Sequence, residues 1–416
     1  MQNPLQRGFT PNASPLMCAT IIEAVLREAG DLKEITYCAY LDAKAAFDVV
    51  NHGSLMRKLY IHGVEGKAWN VIRDLHTNTT SNIKWEGRVS ECFNVSQGVR
   101  QGGLLSTDLY KVYINDLLDR MECSGLGAKI GDIDCVSPTC ADDVTILAKD
   151  SHAMQTLLNM AVEYSNNERY TLQPAKSAVL IARPSRRQHP ISEHFTIGEI
   201  PISTQESVTH LGMIRHVIST VTATIDNNIQ KACRRMYSLM KPGLHGENGL
   251  DPVTSLHLLT VYVLPILLHV YGFKVCLPKG NNLNRLEIFL KKILKQLLSL
   301  PITTPDAAVY ILTGILPVEA LIHKKTLAHF GAITRLPKTS KERNMATRQL
   351  QMKPRKSQSW SIELRKITEK YDLPDPLEIL DNPPSSYRWK ILPLLVRNKV
   401  NQYWGSRILL KAHAGP

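Results

Sequence analysis

Apolar residues follow two regimes along the 416-residue chain. Over residues 1 to 182, short β-prone runs alternate with stretches of helical period; beyond about 220, helical period dominates. Ile35 to Leu41 is a run of apolar and aromatic residues broken only by Thr36 and ending at Asp42, the pattern of a buried strand. Val136 to Thr139 and Val144 to Leu147 are two further short runs, and they predict a hairpin whose tip is Cys140-Ala141-Asp142-Asp143. Ser14 and Pro15 open a helix to about Arg27, with Leu16, Ala19, Ile22 and Leu26 or Val25 inward. Further helices are predicted over Ser54 to Tyr60, Lys67 to Leu75 and Thr107 to Met121, and from Ser151, the expected cap, to about Arg169. Ile83 to Trp85 and Glu91 to Val95 read as a hairpin turned near Gly87.

Arg183 to Pro190 is basic and bounded by prolines, the clearest boundary in the chain. Past it, Phe195 to Gly198 and Val208 to Met213 read as strands. Two helical stripes follow: Ile225, Ile229, Ala232, Met236 and Leu239, then Leu283, Leu286, Leu290, Ile293, Leu294 and Leu297. Lys231, Arg234, Arg235, Lys291, Lys292 and Lys295 flank these stripes. Leu256 to Phe273 is the longest apolar run, but His257, Pro265 and His269 interrupt it, so it predicts a buried, Pro-kinked helix pair and no membrane span. Residues 335 to 356 are basic and polar and read as a mobile linker; Trp360 to Leu410 carries enough Leu, Ile and Trp for a small helical appendage.

Charge sharpens the division. The formal net charge is +13, but residues 1 to 182 hold 17 Lys and Arg against 21 Asp and Glu, and the remainder 33 against 16. An acidic half joined to a strongly basic one suits a polyanionic partner held by one part and processed by the other. With 44% apolar residues the chain can bury a large core in two or three domains. Its eight cysteines show no Cys-x-x-Cys pair, which points to reduced thiols and to neither a zinc site nor a disulfide framework. The start, Met1-Gln2-Asn3-Pro4, has no secretory pattern.

The candidate chemistry centres on Asp142 and Asp143. Side chains alternate along a strand, so only a turn lets neighbouring carboxylates serve one centre. Two such charges repel, and a cation relieves the repulsion. Alone, an Asp-Asp pair is usually a solvated turn. Here it keeps company with Leu41-Asp42-Ala43-Lys44-Ala45-Ala46-Phe47-Asp48, which continues to His52, with Gln97-Gly98-Val99-Arg100-Gln101-Gly102, and with Leu172-Gln173-Pro174-Ala175-Lys176. In this order the four stretches resemble the palm motifs of reverse transcriptases, most closely those of non-LTR (LINE-type) retrotransposons. The resemblance covers about residues 6 to 182 well and 195 to 330 loosely.

It implies an α+β fold: a right-hand polymerase palm, an antiparallel sheet with helices on one face, followed by a helical thumb and a helical appendage. The implied division is palm with residual fingers over 1–182, linker and primer-grip-like hairpin over 183–220, thumb over 221–334, basic linker over 335–359 and helical segment over 360–416. The implied activity is RNA-directed DNA synthesis by two-metal nucleotidyl transfer, with RNA template, DNA primer and dNTPs as partners, no membrane, and an intracellular, nuclear or cytoplasmic setting. Two Mg2+ ions, with Mn2+ as a substitute, serve the attacking and leaving oxygens about 3.5–4 Å apart. Asp42 and Asp142, with Asp143 beside them, are the implied ligands. Phe47 is the implied ring under the sugar that excludes a 2′-hydroxyl; Gln97 and Gly98 lie against the incoming nucleotide. Arg100 fixes that loop or touches phosphate, and Lys176 is the implied general acid for pyrophosphate. Asp48 and His52 match the pattern with structural hydrogen bonding as the expected role.

Cys140 stands where an aromatic is commoner and Thr107 where the family has Pro; neither removes a ligand. Gln6-Arg7-Gly8-Phe9 resembles the junction between fingers and palm, so its nearness to Met1 leads us to expect a 5′-truncated product with incomplete fingers and little activity alone. Rival readings are a catalytically dead nucleic-acid-binding remnant and a group II intron maturase-like or RNA polymerase relative. Ala141 and Phe47 argue against the RNA polymerase, and the Val-x-His ending at His52 against the maturase.

Overall fold

The computed structural model describes residues 2–413 apart from 12, 185–192, 242, 246–248, 269–271 and 383–385. The chain forms two compact units, Met1–Glu206 and Ser207–Pro416. It is mixed α+β. In the first unit a five-stranded sheet runs in the order Phe195–Ile197, Ile200–Thr204, Ala178–Ala182, Thr36–Leu41, Val144–Ala148. Every residue of Thr36–Leu41 and of Val144–Ala148 is buried, so the sheet centre is covered on both faces. That is why these strands read as mostly apolar runs, with a buried threonine in each, rather than as alternating ones.

Thr36–Leu41 lies antiparallel to both its neighbours. At the edge the expectation of a purely antiparallel sheet is corrected: Ile200–Thr204 joins Ala178–Ala182 in parallel, with Ser203 beside Ala178, and its hairpin partner Phe195–Ile197 takes the outermost place. Phe195–Ile197 and Ser207–His210 do not pair with one another. Two tight turns, at Gly198-Glu199 and at Leu211-Gly212, give each its own hairpin partner, Ile200–Thr204 and Met213–His216. Leu211 and Gly212 both have positive φ, 48° and 73°, the geometry of a two-residue hairpin turn. Most of the predicted basic boundary, residues 185–190, lies outside the described residues.

Helices sit within a few residues of their sequence signals: Pro15–Leu32, His52–Ile61, Gly66–His76, Ser106–Cys123 and Ser151–Asn167. Their caps differ in detail. Asp150, not Ser151, caps the last of them, accepting from the Ala153 amide at 2.8 Å. Asn51 caps His52–Ile61 through the Ser54 amide at 2.9 Å, whereas Ser14 makes no side-chain cap bond. Gly66–His76 buries no residue, and the short hairpin over 80–94, turned at Glu86-Gly87, is exposed throughout.

Lys58 lies at the heart of a polar knot among three helices. Its side chain is 1% exposed; Nζ meets Asp116 Oδ2 at 2.5 Å, the Tyr164 hydroxyl at 2.9 Å and Glu168 Oε1 at 3.0 Å. Tyr164 donates to the Tyr113 carbonyl, and Tyr113 donates to that of Glu168. A buried ammonium with this many oxygen partners is stable only while all of them remain.

The second unit opens on the Ser207–His210 and Met213–His216 hairpin, against which Thr220–Met240 packs, and is helical beyond it. On Thr220–Met240, Ile225, Ala232 and Met236 are buried while Lys231, Arg234 and Arg235 are exposed. Of the three lysines predicted to flank the stripe on Gly280–Leu297, Lys292 is exposed, Lys291 pairs with Asp306 at 2.6 Å and Lys295 donates to the Ile302 carbonyl at 2.7 Å. The long apolar run forms Pro252–Leu258, a π-helical turn over Leu259–Val263 and Leu264–Leu267. The wide turn accommodates Pro265, whose missing N–H and ring would disrupt a regular helix. His269 lies outside the described residues. Among the described residues no single helix is long and apolar enough to cross a membrane, and one pair bent by 53°, Asp306–Thr313 with Val318–Thr334, has the length and composition alone.

The stretch whose composition marks it as a linker is corrected by the fold: Lys341–Met352 is a helix that buries Met345, Ala346 and Leu350. Arg343 donates to the carbonyls of Leu336, at 3.0 Å, Thr334 and Leu380, so its burial is satisfied by backbone that composition does not reveal.

Burial sets how this unit responds to acid. It pushes His210 and His329 down to about 3 and His323 down to about 4, and pushes Glu287 up to about 7. A histidine whose folded pKa is depressed contributes stability that is present above pH 6.5 and lost as pH falls. Glu287 has the opposite slope, losing its contribution between about pH 4.5 and 7. Three histidines outweigh one carboxyl, so stability is expected to fall by about 2 kcal/mol per pH unit below pH 6.5. Urea midpoints at pH 7, 6 and 5 measure this, and a flat or rising stability on acidification contradicts it.

Candidate active site

The end of the central strand organises the site. Leu41 pairs with Val144, so continuing the register by one residue sets Asp42 opposite Asp143. Cys140 and Asp143 exchange two backbone hydrogen bonds, at 3.0 and 3.1 Å, leaving Ala141 and Asp142 as the two-residue tip. The predicted turn is therefore present, and it faces the end of a strand about a hundred residues earlier. Ala141 has φ +59°, left-handed backbone that costs an alanine about 1 kcal/mol.

Asp142 and Asp143 are exposed and Asp42 half-buried. Although Asp143 keeps an accessible face, the protein around it raises its carboxyl above the usual range, burial first, then the charges of Asp142 and Asp42. Asp42 Oδ2 is buried without a hydrogen-bond partner. Among the described residues no three His, Cys, Asp or Glu side chains close into a metal-holding group, so the carboxylates are neighbours and not a cage. Acceptor-only oxygens, one orphaned and the others open to solvent, fit a hard divalent cation that keeps water and substrate oxygens as ligands.

The segment 172–177 closes over the same strand end. The Gln173 amide donates to the Asp42 carbonyl at 2.8 Å, the Asp42 amide to Ser177 Oγ at 3.1 Å, and the Lys44 amide to the Thr171 carbonyl at 2.9 Å. Lys176 stands on this turn, exposed, and its ammonium has no partner among the described residues.

The Gly-rich loop is stitched to the segment after Asp42. Gly98 donates to the Val50 carbonyl and Val99 to that of Phe47, both at 2.8 Å, while His52 Nε2 meets the Gly98 carbonyl at 2.8 Å. Gly98 has φ +91°, and a Cβ there would lie 2.7 Å from the Asp48 carbonyl oxygen, so the position takes no side chain. Phe47 is half-buried and stacks on Tyr110 with centroids 4.6 Å apart. Gln97 pairs with Asn51 and keeps its side chain exposed. Arg100 accepts Ser106 Oγ and the Gly103 amide at its carbonyl. Its exposed side chain borders a cavity of about 310 Å³ with His52, Leu75, His76 and Leu104. Asp48 accepts from the Gln101 side chain at 3.1 Å. Asp48 and His52 thus make structural hydrogen bonds between motifs.

Two contributors carry no chemistry in their sequence signal. Ser177 holds the Asp42 amide, and Gln6 bonds to both backbone groups of Ala141. Only the Gln-x-Gly spelling at Gln6 to Gly8 marks the latter.

Residues 2–214 match the family model described as reverse transcriptase (RNA-dependent DNA polymerase). The Pol polyprotein of the type-2 retrotransposable element R2DM of Drosophila melanogaster is 30% identical over 162 residues, 39% of this chain and 15% of that protein. The Pol polyprotein of the type-1 element R2 of Popillia japonica is 22% identical over 315 residues, 74% of this chain and 43% of that protein. The RNA-directed DNA polymerase from the mobile element jockey of Drosophila melanogaster is 24% identical over 284 residues, covering 66% and 30%. The chain spans less than half the length of each of these relatives. A telomerase from Candida albicans, solved with a fragment of telomeric RNA, has a TM-score of 0.37 at 11% identity over 84% of this chain and 52% of that one.

Proposed function

Because the chain belongs to the reverse transcriptase (RNA-dependent DNA polymerase) family, among those of non-LTR retrotransposons, we propose that it adds deoxynucleotides to a primer 3′-hydroxyl against an RNA template. The reading rests above all on Asp42 and Asp143 flanking the last pair of one ladder, Leu41 with Val144, close enough for the Asp42 charge to act on Asp143, with the buried Asp42 Oδ2 left unbonded. Asp42, Asp142 and Asp143 are the residues to hold Mg2+, or Mn2+ in its place. Bound there, the ions supply Lewis-acid neutralisation of phosphate charge and a more acidic primer hydroxyl.

The protein's own groups do the rest. The sheet unit serves as the palm. The helices after residue 220 serve as the thumb, with the exposed Lys231, Arg234, Arg235 and Lys292 toward phosphates. Gly98 lets backbone approach the incoming nucleotide, Gln97 offers an amide beside it, and Arg100 steadies the loop or meets phosphate. Lys176, held on the turn bonded to Asp42, delivers a proton to pyrophosphate.

Phe47, braced by Tyr110, excludes the 2′-hydroxyl by volume. Phe47→Ala is expected to lower discrimination against ribonucleotides on the order of 10- to 100-fold. Ratios of kcat/KM for dNTP and rNTP measure it; an unchanged ratio makes Phe47 a packing ring only.

Primer extension on a primed RNA template with Mg2+ and dNTPs tests the whole reading. Templated DNA product supports it. Salt-sensitive binding of the duplex with no product under any divalent ion leaves this chain a nucleic-acid binder and refutes DNA synthesis by it.

A further inference from the structure

We infer that Gln6 is a positioning residue for the carboxylate turn, its side-chain amide holding Ala141 in the backbone conformation that sets Asp142 and Asp143 opposite Asp42. The inference rests on the polymerase reading for its kinetic consequence, but its structural content is independent of it.

Gln6 is 1% exposed and spends its whole amide on backbone. Oε1 accepts from the Ala141 amide at 2.9 Å and from the Gly8 amide at 2.8 Å, while Nε2 donates to the Ala141 carbonyl at 3.1 Å. Both polar groups of one residue are thus held by one side chain 135 positions away. That residue is the left-handed Ala141, in a conformation alanine does not favour, so the turn needs an external hold.

The flanking backbone keeps Gln6 in place. The Arg7 amide donates to the Thr139 carbonyl at 2.8 Å, and the Thr139 amide to the Leu5 carbonyl at 2.9 Å, forming a short parallel bridge beside the turn. Gly8 completes the cradle: a Cβ there would lie 2.1 Å from the Ala141 nitrogen. Released from this hold, the tip can relax from left-handed backbone, and Asp142, next in the chain, swings with it. Asp143 stays pinned by its exchange with Cys140, so the spacing of the two carboxylates changes.

Gln6→Ala removes both bonds to Ala141. A misplacement near 1 Å at reacting groups costs on the order of 100-fold, so kcat is expected to fall about 10- to 100-fold, with dNTP KM and template–primer affinity within about twofold. Gln6→Glu keeps acceptors, loses the donor and adds a charge beside two carboxylates; its kcat is expected to fall at least as far. Hydrogen exchange provides a metal-free readout. Losing the bond at the Ala141 amide is expected to speed exchange of the peptide spanning 138–144 about tenfold, while Thr36–Leu41 keeps its protection.

Faster exchange at the turn with a kcat-selective loss supports the inference. Unchanged exchange and kcat overturn it. So does a parallel fall of Tm, duplex affinity and kcat, which marks a merely structural side chain. If the unaltered chain makes no product, synthesis by this chain fails on its own account, and exchange together with Mn2+ affinity by electron paramagnetic resonance still decides for Gln6. Both altered by Gln6→Ala supports it, and neither altered overturns it.

Discussion

Asp142→Asn is expected to lower templated nucleotide addition on the order of 1,000-fold or more while leaving the fold intact. The substitution keeps size and shape and removes one charge from a group of like charges. Burial and the neighbouring carboxylates already hold Asp143 above its usual range, which records how unfavourable a second and third charge are at this strand end. Neutralising Asp142 relieves that repulsion, so Tm is expected to hold or rise slightly as activity disappears. This opposition of signs separates a functional acid from a structural one, because a residue that merely packs loses both together. Single-turnover primer extension with a thermal melt of the same preparation measures the two. Activity within about tenfold of the parent would remove Asp142 from the machinery.

The second large effect lies in the knot around Lys58. Lys58→Met fills the same space without the ammonium, leaving Glu168, with a side chain 5% exposed, short of its closest buried cation. Breaking a buried pair from one side costs about 3–5 kcal/mol, because the remaining charge is stranded. Arg57, 3.1 Å from Glu168 and itself 61% exposed, offsets part of that, so the lower end is expected. Glu168→Gln added to Lys58→Met is expected to recover part of the loss, since it removes the stranded charge. Urea denaturation of the three variants checks both statements. A loss below about 1 kcal/mol for Lys58→Met, or additivity in the double variant, shows the knot to be ordinary packing.

Lys58 also shows where the sequence stops being informative. Its helix is legible from the period of Leu55 and Leu59, yet nothing in a lone lysine on that helix tells that Asp116, Tyr164 and Glu168 converge on it. The same asymmetry runs through the site. The strand before Asp42 and the turn at Asp142 are readable because burial on two faces and a tight turn leave local composition signatures. Gln6 and Ser177 act through backbone groups, which every residue possesses, so no residue pattern marks their targets. Lys341–Met352 reads as a linker because Glu342, Arg343 and Gln349 are polar, although all three are buried in the fold. The parallel pairing of Ile200–Thr204 with Ala178–Ala182 is hidden for a different reason: it depends on which side of the growing sheet is open, a property of the whole sheet.

The place of Thr36–Leu41 between Val144–Ala148 and Ala178–Ala182 bears on how the protein is made. Both partners emerge from the ribosome a hundred residues or more after the strand they flank, so the centre of the sheet cannot zip up as a local hairpin. Closing so long a loop costs entropy before any ladder bond repays it, and topologies dominated by such distant pairings fold slowly. Until residue 148 has been synthesised an apolar strand waits with both edges unsatisfied, and until residue 182 with one, so the nascent chain depends on its early helices or a chaperone to keep that strand from pairing with another copy.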